Sequence, residues 1–251
     1  MKILMTGGSG GIGRELITDL IKKNKIIVLA RNKQKLSALK KIINNKNLSV
    51  IAVDVSKNEE VEKVFKSIDK LDALINTAGV LKPVGKFLDN DLKEWKQAID
   101  INLLGSVYCC YYAMPLLLKA RRGKIINFSG GGGAYGRAFH TAYASSKTAI
   151  VRFTECLAME YPKLNINAIA PGAYKTTLWN DETHDDEPSK WGDIEHLRKF
   201  INFLLSKDSD GITGKFLHYK DDWKNLNGQN LKEFMFTLRR IDDYQFINKE
   251  L

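Results

Sequence analysis

Cysteine is scarce: three in 251 residues, at Cys109, Cys110 and Cys156. An odd count with two of them adjacent excludes a disulfide framework and favours a reducing compartment. Cys and His nowhere fall at metal-ligand spacing, so no metal site is expected. Long apolar runs are missing too. The most apolar later stretch, Leu103 to Leu118, contains Gly105 and Pro115 and is short for a membrane span. Met1 to Met5 lead directly into glycines, without the apolar core of a signal peptide. These absences point to a soluble, cytoplasmic protein that uses no membrane. The charge balance lacks acid, at a formal +10. The lysines are spread along the chain without an aromatic-rich basic stripe, so a solvated surface is expected and not a nucleic-acid partner.

Hydrophobic residues make up 44% of the chain, enough for a sizeable core. Apolar runs at Lys2 to Thr6, Lys25 to Ala30, Leu48 to Val53, Leu71 to Ile75, Lys124 to Phe128, Asn165 to Ala170 and Gly211 to Tyr219 read as seven strands. Between them lie helical patterns, including Lys33 to Ile43, Glu59 to Ile68, Thr141 to Tyr161 and Asp193 to Leu205. Asp91 to Leu118 reads as one long helical region with Asn102 inside it. Strands alternating with helices predict an α/β, doubly wound, parallel seven-stranded sheet (a Rossmann fold) in three α/β/α layers. Residues 1–219 form that domain. Residues 220–251 are a tail whose Trp223, Phe234, Met235, Phe236 and Leu238 predict packing on the same domain or on a neighbouring subunit. The acidic stretch Thr177 to Ser189 is expected to be a mobile loop over the site.

Ligands of such sheets sit beyond the carboxyl ends of the strands. The first strand ends in Thr6-Gly7-Gly8-Ser9-Gly10-Gly11-Ile12-Gly13. Glycines there admit a phosphate close to backbone N–H groups at a helix N-terminus. The second ends at Arg31-Asn32, where an arginine accommodates a 2′-phosphate and favours NADP over NAD. Asp54-Val55 and Asn76-Thr77-Ala78-Gly79 end two more. Tyr143 and Lys147 stand four residues apart, on one face of a helix. A lysine about 4 Å from a phenol favours the phenolate by about 4 kcal/mol at an effective dielectric near 20. That is roughly 3 pKa units, enough to bring the phenol from about 10 to near 7.

Together these motifs resemble the short-chain dehydrogenase/reductase family, in order and spacing, over about residues 1 to 219. The resemblance implies a nicotinamide cofactor and hydride transfer to or from a carbonyl or alcohol. It makes Tyr143 the general acid/base. Lys147 lowers its pKa and holds the nicotinamide ribose, and Asn102 positions a water in the proton relay. It assigns Gly7, Ser9, Gly11, Ile12 and Gly13 to the pyrophosphate and adenosine side, Arg31 and Asn32 to the 2′-phosphate, and Asp54 and Val55 to the adenine. Asn76, Ala78 and Gly79 flank the ribose, and Pro171, Gly172 and Thr176 the nicotinamide. It also implies a homodimer or homotetramer built through helices 101–118 and 141–161.

The chain departs from that pattern at Gly130, thirteen residues before Tyr143, where the family usually has a serine. Ser129 stands one position earlier, and successive strand side chains point to opposite faces. Three outcomes are open: Ser129 reaches in, a backbone N–H or substrate hydroxyl substitutes, or catalysis is weak. The function expected is an NADP-dependent oxidoreductase acting on a small polar substrate, an activated sugar or an acyl thioester. The alternative is an NADP(H)-binding regulator or sensor without turnover.

Overall fold

Short stretches rich in Ile, Leu, Val and Ala, such as KILMT and KIIVLA, satisfy their backbone by pairing with one another. The computed structural model describes residues 1–231 and 235–238, and the backbone of 241–242 and 245–246. Its main sheet has seven strands: β1 (Lys2–Thr6), β2 (Lys25–Ala30), β3 (Leu48–Ala52), β4 (Ala73–Asn76), β5 (Lys124–Phe128), β6 (Asn165–Ala170) and β7 (Phe216–His218). The order is β3-β2-β1-β4-β5-β6-β7, and every pairing is parallel. Helices α1 (Gly11–Leu20), α2 (Lys33–Ile43) and α7 (Ile194–Leu205) belong to one face. Helices α3 (Asn58–Lys66), α5 (Gly105–Leu117) and α6 (Thr141–Glu160) cover the other, and α4 (Leu92–Ile99) precedes α5. A two-stranded hairpin, β8 (Ile241–Asp242) with β9 (Gln245–Phe246), lies apart from the main sheet.

The two-residue period of a strand divides the core. Ile3 and Met5 go to one face with Leu16, Leu20 and Phe200. Leu4 goes to the other with Phe65, Cys109 and Leu117. Strand order reverses between β1 and β4, and the chain ends of these strands are level: Thr6 lies opposite Asn76 on one side and Leu29 on the other. This is the crevice in which doubly wound sheets bind ligands.

Two expectations change. The last strand spans only Phe216–His218, because Gly211 and Gly214 take positive φ, 86° and 69°, and turn the chain ahead of it. The helical region 91–118 is broken by a π-helical turn at Asp100–Leu104. Such a bulge re-aims one residue, and it carries Asn102 inward to complete burial. The tail packs on its own domain as far as it is described. The Trp223 ring lies 5.2 Å from Phe203 and 5.6 Å from Phe200, and its Nε1–H donates to the Tyr219 carbonyl at 3.1 Å. The backbone N–H of Leu238 donates to Glu155 Oε1 at 2.7 Å. Phe234 lies outside the described residues. Among the described residues no helix is long and apolar enough to cross a membrane.

Candidate active site

The strand ends open into one cavity of about 920 Å³. Gly7, Ser9, Gly11, Ile12, Gly13, Arg31, Asn32, Val55, Ala78 and Gly79 line it. So do Tyr143, Lys147, Pro171, Gly172 and Thr176, all predicted from sequence. The glycine turn is held by a close approach: a Cβ on Gly13 would meet the Gly7 carbonyl oxygen at 2.7 Å. The opposing turn locks onto it, since Thr77 Oγ1 donates to the Thr6 carbonyl and Ala78 N–H donates to Thr6 Oγ1 at 3.2 Å. In front of Gly10 the space is open, with no atom within 4 Å of an added Cβ. The residues present therefore leave a cradle of bare backbone at a helix N-terminus, the environment a pyrophosphate requires. Arg31 and Lys35 also line the cavity.

Three predicted residues do not reach the cavity. Asp54 turns back on its own loop, where its Oδ1 accepts from Ser56 N–H at 3.1 Å and Ser56 Oγ–H at 2.7 Å. Asn76 is buried under the strand ends and donates to Asn127 Oδ1 at 2.9 Å. Asn102 lies behind the wall. Its Oδ1 accepts from Val80 N–H at 2.8 Å, and its Nδ2 donates to the Val80 carbonyl and to Ser146 Oγ, each at 3.0 Å. Ser146 in turn donates to the Tyr143 carbonyl at 2.7 Å. Asn102 thus ties the β4 turn to the first turn of α6, the turn that carries Tyr143.

The electrostatics of the pair differ from the sequence expectation. Lys147 Nζ donates to the Phe128 carbonyl at 2.8 Å and lies 5.7 Å from the centre of the Tyr143 ring. Burial pulls the ammonium down to about 8. Burial also pushes the Tyr143 phenol above its ordinary value, with the Arg137 charge as the opposing influence. The phenol of the free protein is therefore protonated at pH 7, not poised near 7. A lysine held against the hydroxyl would favour the phenolate, whereas this one donates to a carbonyl.

Ser129 lines the cavity beside Gly130, but its hydroxyl is turned to the helix. It is buried, and its hydroxyl donates to the Lys147 carbonyl at 2.9 Å. Gly130 adopts φ 155°, ψ −177°, a region reserved for glycine. A Cβ there would stand 3.0 Å from the Tyr143 hydroxyl. Gly130→Ser is accordingly expected to destabilise the fold by about 1–3 kcal/mol. A thermal melt should show a fall in Tm of several degrees, at roughly 2–4 °C per kcal/mol.

The acidic stretch 177–189 does lie over the cavity, but sequence reasoning missed what anchors it there. Arg137, Glu182, Asp185 and Asp186 line the cavity, and so does Phe236 of the tail. Glu182 is 1% exposed at its side chain. Its Oε2 is 2.8 Å from His140 Nε2 and accepts from Arg137 at 2.6 Å. Ligand atoms of His140, Glu182 and Asp185 lie within 4.8 Å of one another, but the Arg137 guanidinium already occupies both carboxylates. The contacts join positions 42 to 48 apart, which no local motif could signal.

Fold and site together define a doubly wound α/β nucleotide-binding protein with a tyrosine and a lysine at its cavity wall. The short chain dehydrogenase family model matches residues 1–187, and the chain belongs to that family of oxidoreductases. An uncharacterized oxidoreductase of Schizosaccharomyces pombe is 30% identical over 237 residues, covering 87% of this chain and 96% of the relative. The 3-oxoacyl-(acyl-carrier-protein) reductase FabG of Rickettsia bellii is 31% identical over 226 residues, covering 86% and 93%. A short chain dehydrogenase from Shigella flexneri 2a, solved in complex with NADP, superposes with a TM-score of 0.80 at 28% identity, covering 87% of this chain and 96% of its own.

Proposed function

We propose that the protein is an NADP(H)-dependent oxidoreductase that moves a hydride between nicotinamide and a carbonyl or alcohol of a small polar substrate. One observation carries the reading: Tyr143 and Lys147 line the same cavity as the glycine turn and Arg31. The glycine turn, with Ser9 and Ile12, holds the pyrophosphate. Arg31, with Asn32 beside it, takes the 2′-phosphate, and Val55 borders the adenine. Ala78 and Gly79 flank the ribose; Pro171, Gly172 and Thr176 border the nicotinamide. When bound, the nicotinamide supplies or accepts the hydride. Tyr143 holds the proton that the substrate oxygen gains or loses. Lys147 raises the local positive potential and orients the ribose, and Asn102 acts through the α6 turn it anchors. The names of the FabG relatives support an acyl thioester as one substrate class, and an activated sugar is the other. Exposed Tyr111 on α5 and Met159 on α6 support self-association through those helices.

The cofactor assignment has a direct test. Arg31→Ala should weaken NADPH binding about tenfold or more while changing NADH binding less than about threefold, because an arginine fork recognises the 2′-phosphate that NADH lacks. Fluorescence titration of both cofactors reads this, and a wild-type preference for NADH would defeat it. Turnover over a panel of carbonyls and alcohols tests the reaction itself, and also separates it from a binder without turnover.

A further inference from the structure

Arg137 precedes Tyr143 by six residues, on the loop that leads into α6. The Lys and Arg residues lining the cavity are Arg31, Lys35, Lys147 and Arg137. The first two belong to the 2′-phosphate end and Lys147 to the ribose, which leaves Arg137 to the substrate. Its charge reaches Tyr143, where it opposes the effect of burial on the phenol.

The two carboxylates on Arg137 are not equivalent. Glu182 is a built part of the roof. Its Oε1 accepts three backbone N–H groups, from Thr183 and His184 at 3.0 Å and from Asp185 at 3.1 Å, and the His140 ring faces its Oε2. Burial works against its charge, but those partners outweigh burial and hold the carboxyl at about 2. Asp185 is different. Its side chain is 40% exposed, and it takes Nε of Arg137 at 2.8 Å together with a short contact to Nη2. The pair is open to solvent on its aspartate side, where water and solutes compete with Asp185 for the guanidinium. The single Oδ2 of Asp185 accepts from two N–H groups along one edge of the guanidinium, the edge that a carboxylate or phosphate can take with two oxygens.

We infer that Arg137 is the receptor for an anionic group on the substrate, a carboxylate or phosphate, and that Asp185 holds that place in the free protein. The inference rests on the reading of Tyr143 as the acid/base of the same cavity. Glu182 keeps the guanidinium aimed, and Asp185 leaves when the substrate anion arrives.

The test uses matched probes: acetoacetate against methyl acetoacetate, and dihydroxyacetone phosphate against dihydroxyacetone. Calorimetric titration into the NADPH-loaded protein reads binding without needing turnover. At least one anion should bind about tenfold or more tightly than its neutral twin, and the pair that shows it distinguishes carboxylate from phosphate. Arg137→Gln should remove that preference, and Arg137→Lys should keep part of it. Asp185→Ala should tighten anion binding about threefold, because it removes the competitor. A merely structural role for the cluster predicts loss in both variants. Equal affinity for both pairs of twins overturns the proposal. So does no anion binding at about 10 mM, or weakening by Asp185→Ala. Bound NADPH shows that each variant has folded. Failure of NADPH to bind the wild type would defeat the cofactor reading alone; the probes are then titrated into the free protein, where the same affinity differences support or overturn the proposal.

Discussion

Tyr143→Phe is expected to lower kcat by about 10²–10⁴, the range that a positioned general acid contributes, and to leave NADPH affinity within about threefold. The ring packs at the cavity wall beside Gly132, and phenylalanine keeps that packing. The hydroxyl makes no hydrogen bond to the described residues and stands over bare Gly130, so removing it breaks no structural contact. What goes is the proton. Burial raises the phenol above its ordinary value, so at pH 7 the free enzyme holds an acid ready for carbonyl reduction. Alcohol oxidation needs the phenolate, so its rate should climb as pH rises toward the phenol's pKa. Stopped-flow rates in both directions, from pH 6 to about 10, would show this climb in the wild type and none in the variant. A variant with an unchanged profile would remove Tyr143 from the proton transfer.

Much of this was legible in the sequence because it is local. A strand that ends in glycines before a helix can be read from ten residues, and so can Tyr143 and Lys147 at one helical turn. The parallel seven-stranded sheet follows from repeated strand–helix units, since parallel neighbours need crossovers. What escaped depends on distant pairing. Asn102 is an ordinary residue in a helical pattern until the π-turn at Asp100–Leu104 swings it toward Val80. Asp54 and Asn76 stand at strand ends, where sequence cannot distinguish a side chain facing the crevice from one folded back on its loop. Ser129 and Gly130 show the same ambiguity in one peptide: the hydroxyl found a helix carbonyl, and the glycine took a φ that no serine adopts readily. The acidic run 177–189 read as a loop. Its Glu182 is instead a buried anchor, because His140 and Arg137 come to it from the loop before α6.

Lys147→Met should disable the enzyme and stabilise the fold. Its ammonium is buried to 4% residue exposure, with the Phe128 carbonyl as its hydrogen-bond acceptor. Burial pulls its pKa down to about 8, against about 10.4 for a free lysine. The sign follows from proton counting. Between these two values the unfolded chain binds a proton that the folded chain does not, so stability rises with pH through that window. Below pH 8 the folded protein carries the full penalty, about 3 kcal/mol. Methionine matches most of the stem without the charge, while the Phe128 carbonyl loses its donor at about 1–3 kcal/mol. At pH 7 the variant should therefore be more stable by about 1 kcal/mol, a rise in Tm of roughly 2–4 °C. The gain should shrink as pH passes 8 and reverse by about pH 10, where the wild-type lysine is neutral and keeps its hydrogen bond. Turnover should fall by about 10²–10³, since the positive charge beside the developing oxyanion is gone. Thermal melts at both pH values and steady-state rates check the two halves independently. A variant less stable than wild type at pH 7 would show that the carbonyl contact outweighs burial, and one that keeps its rate would show that the lysine charge takes no part in the chemistry.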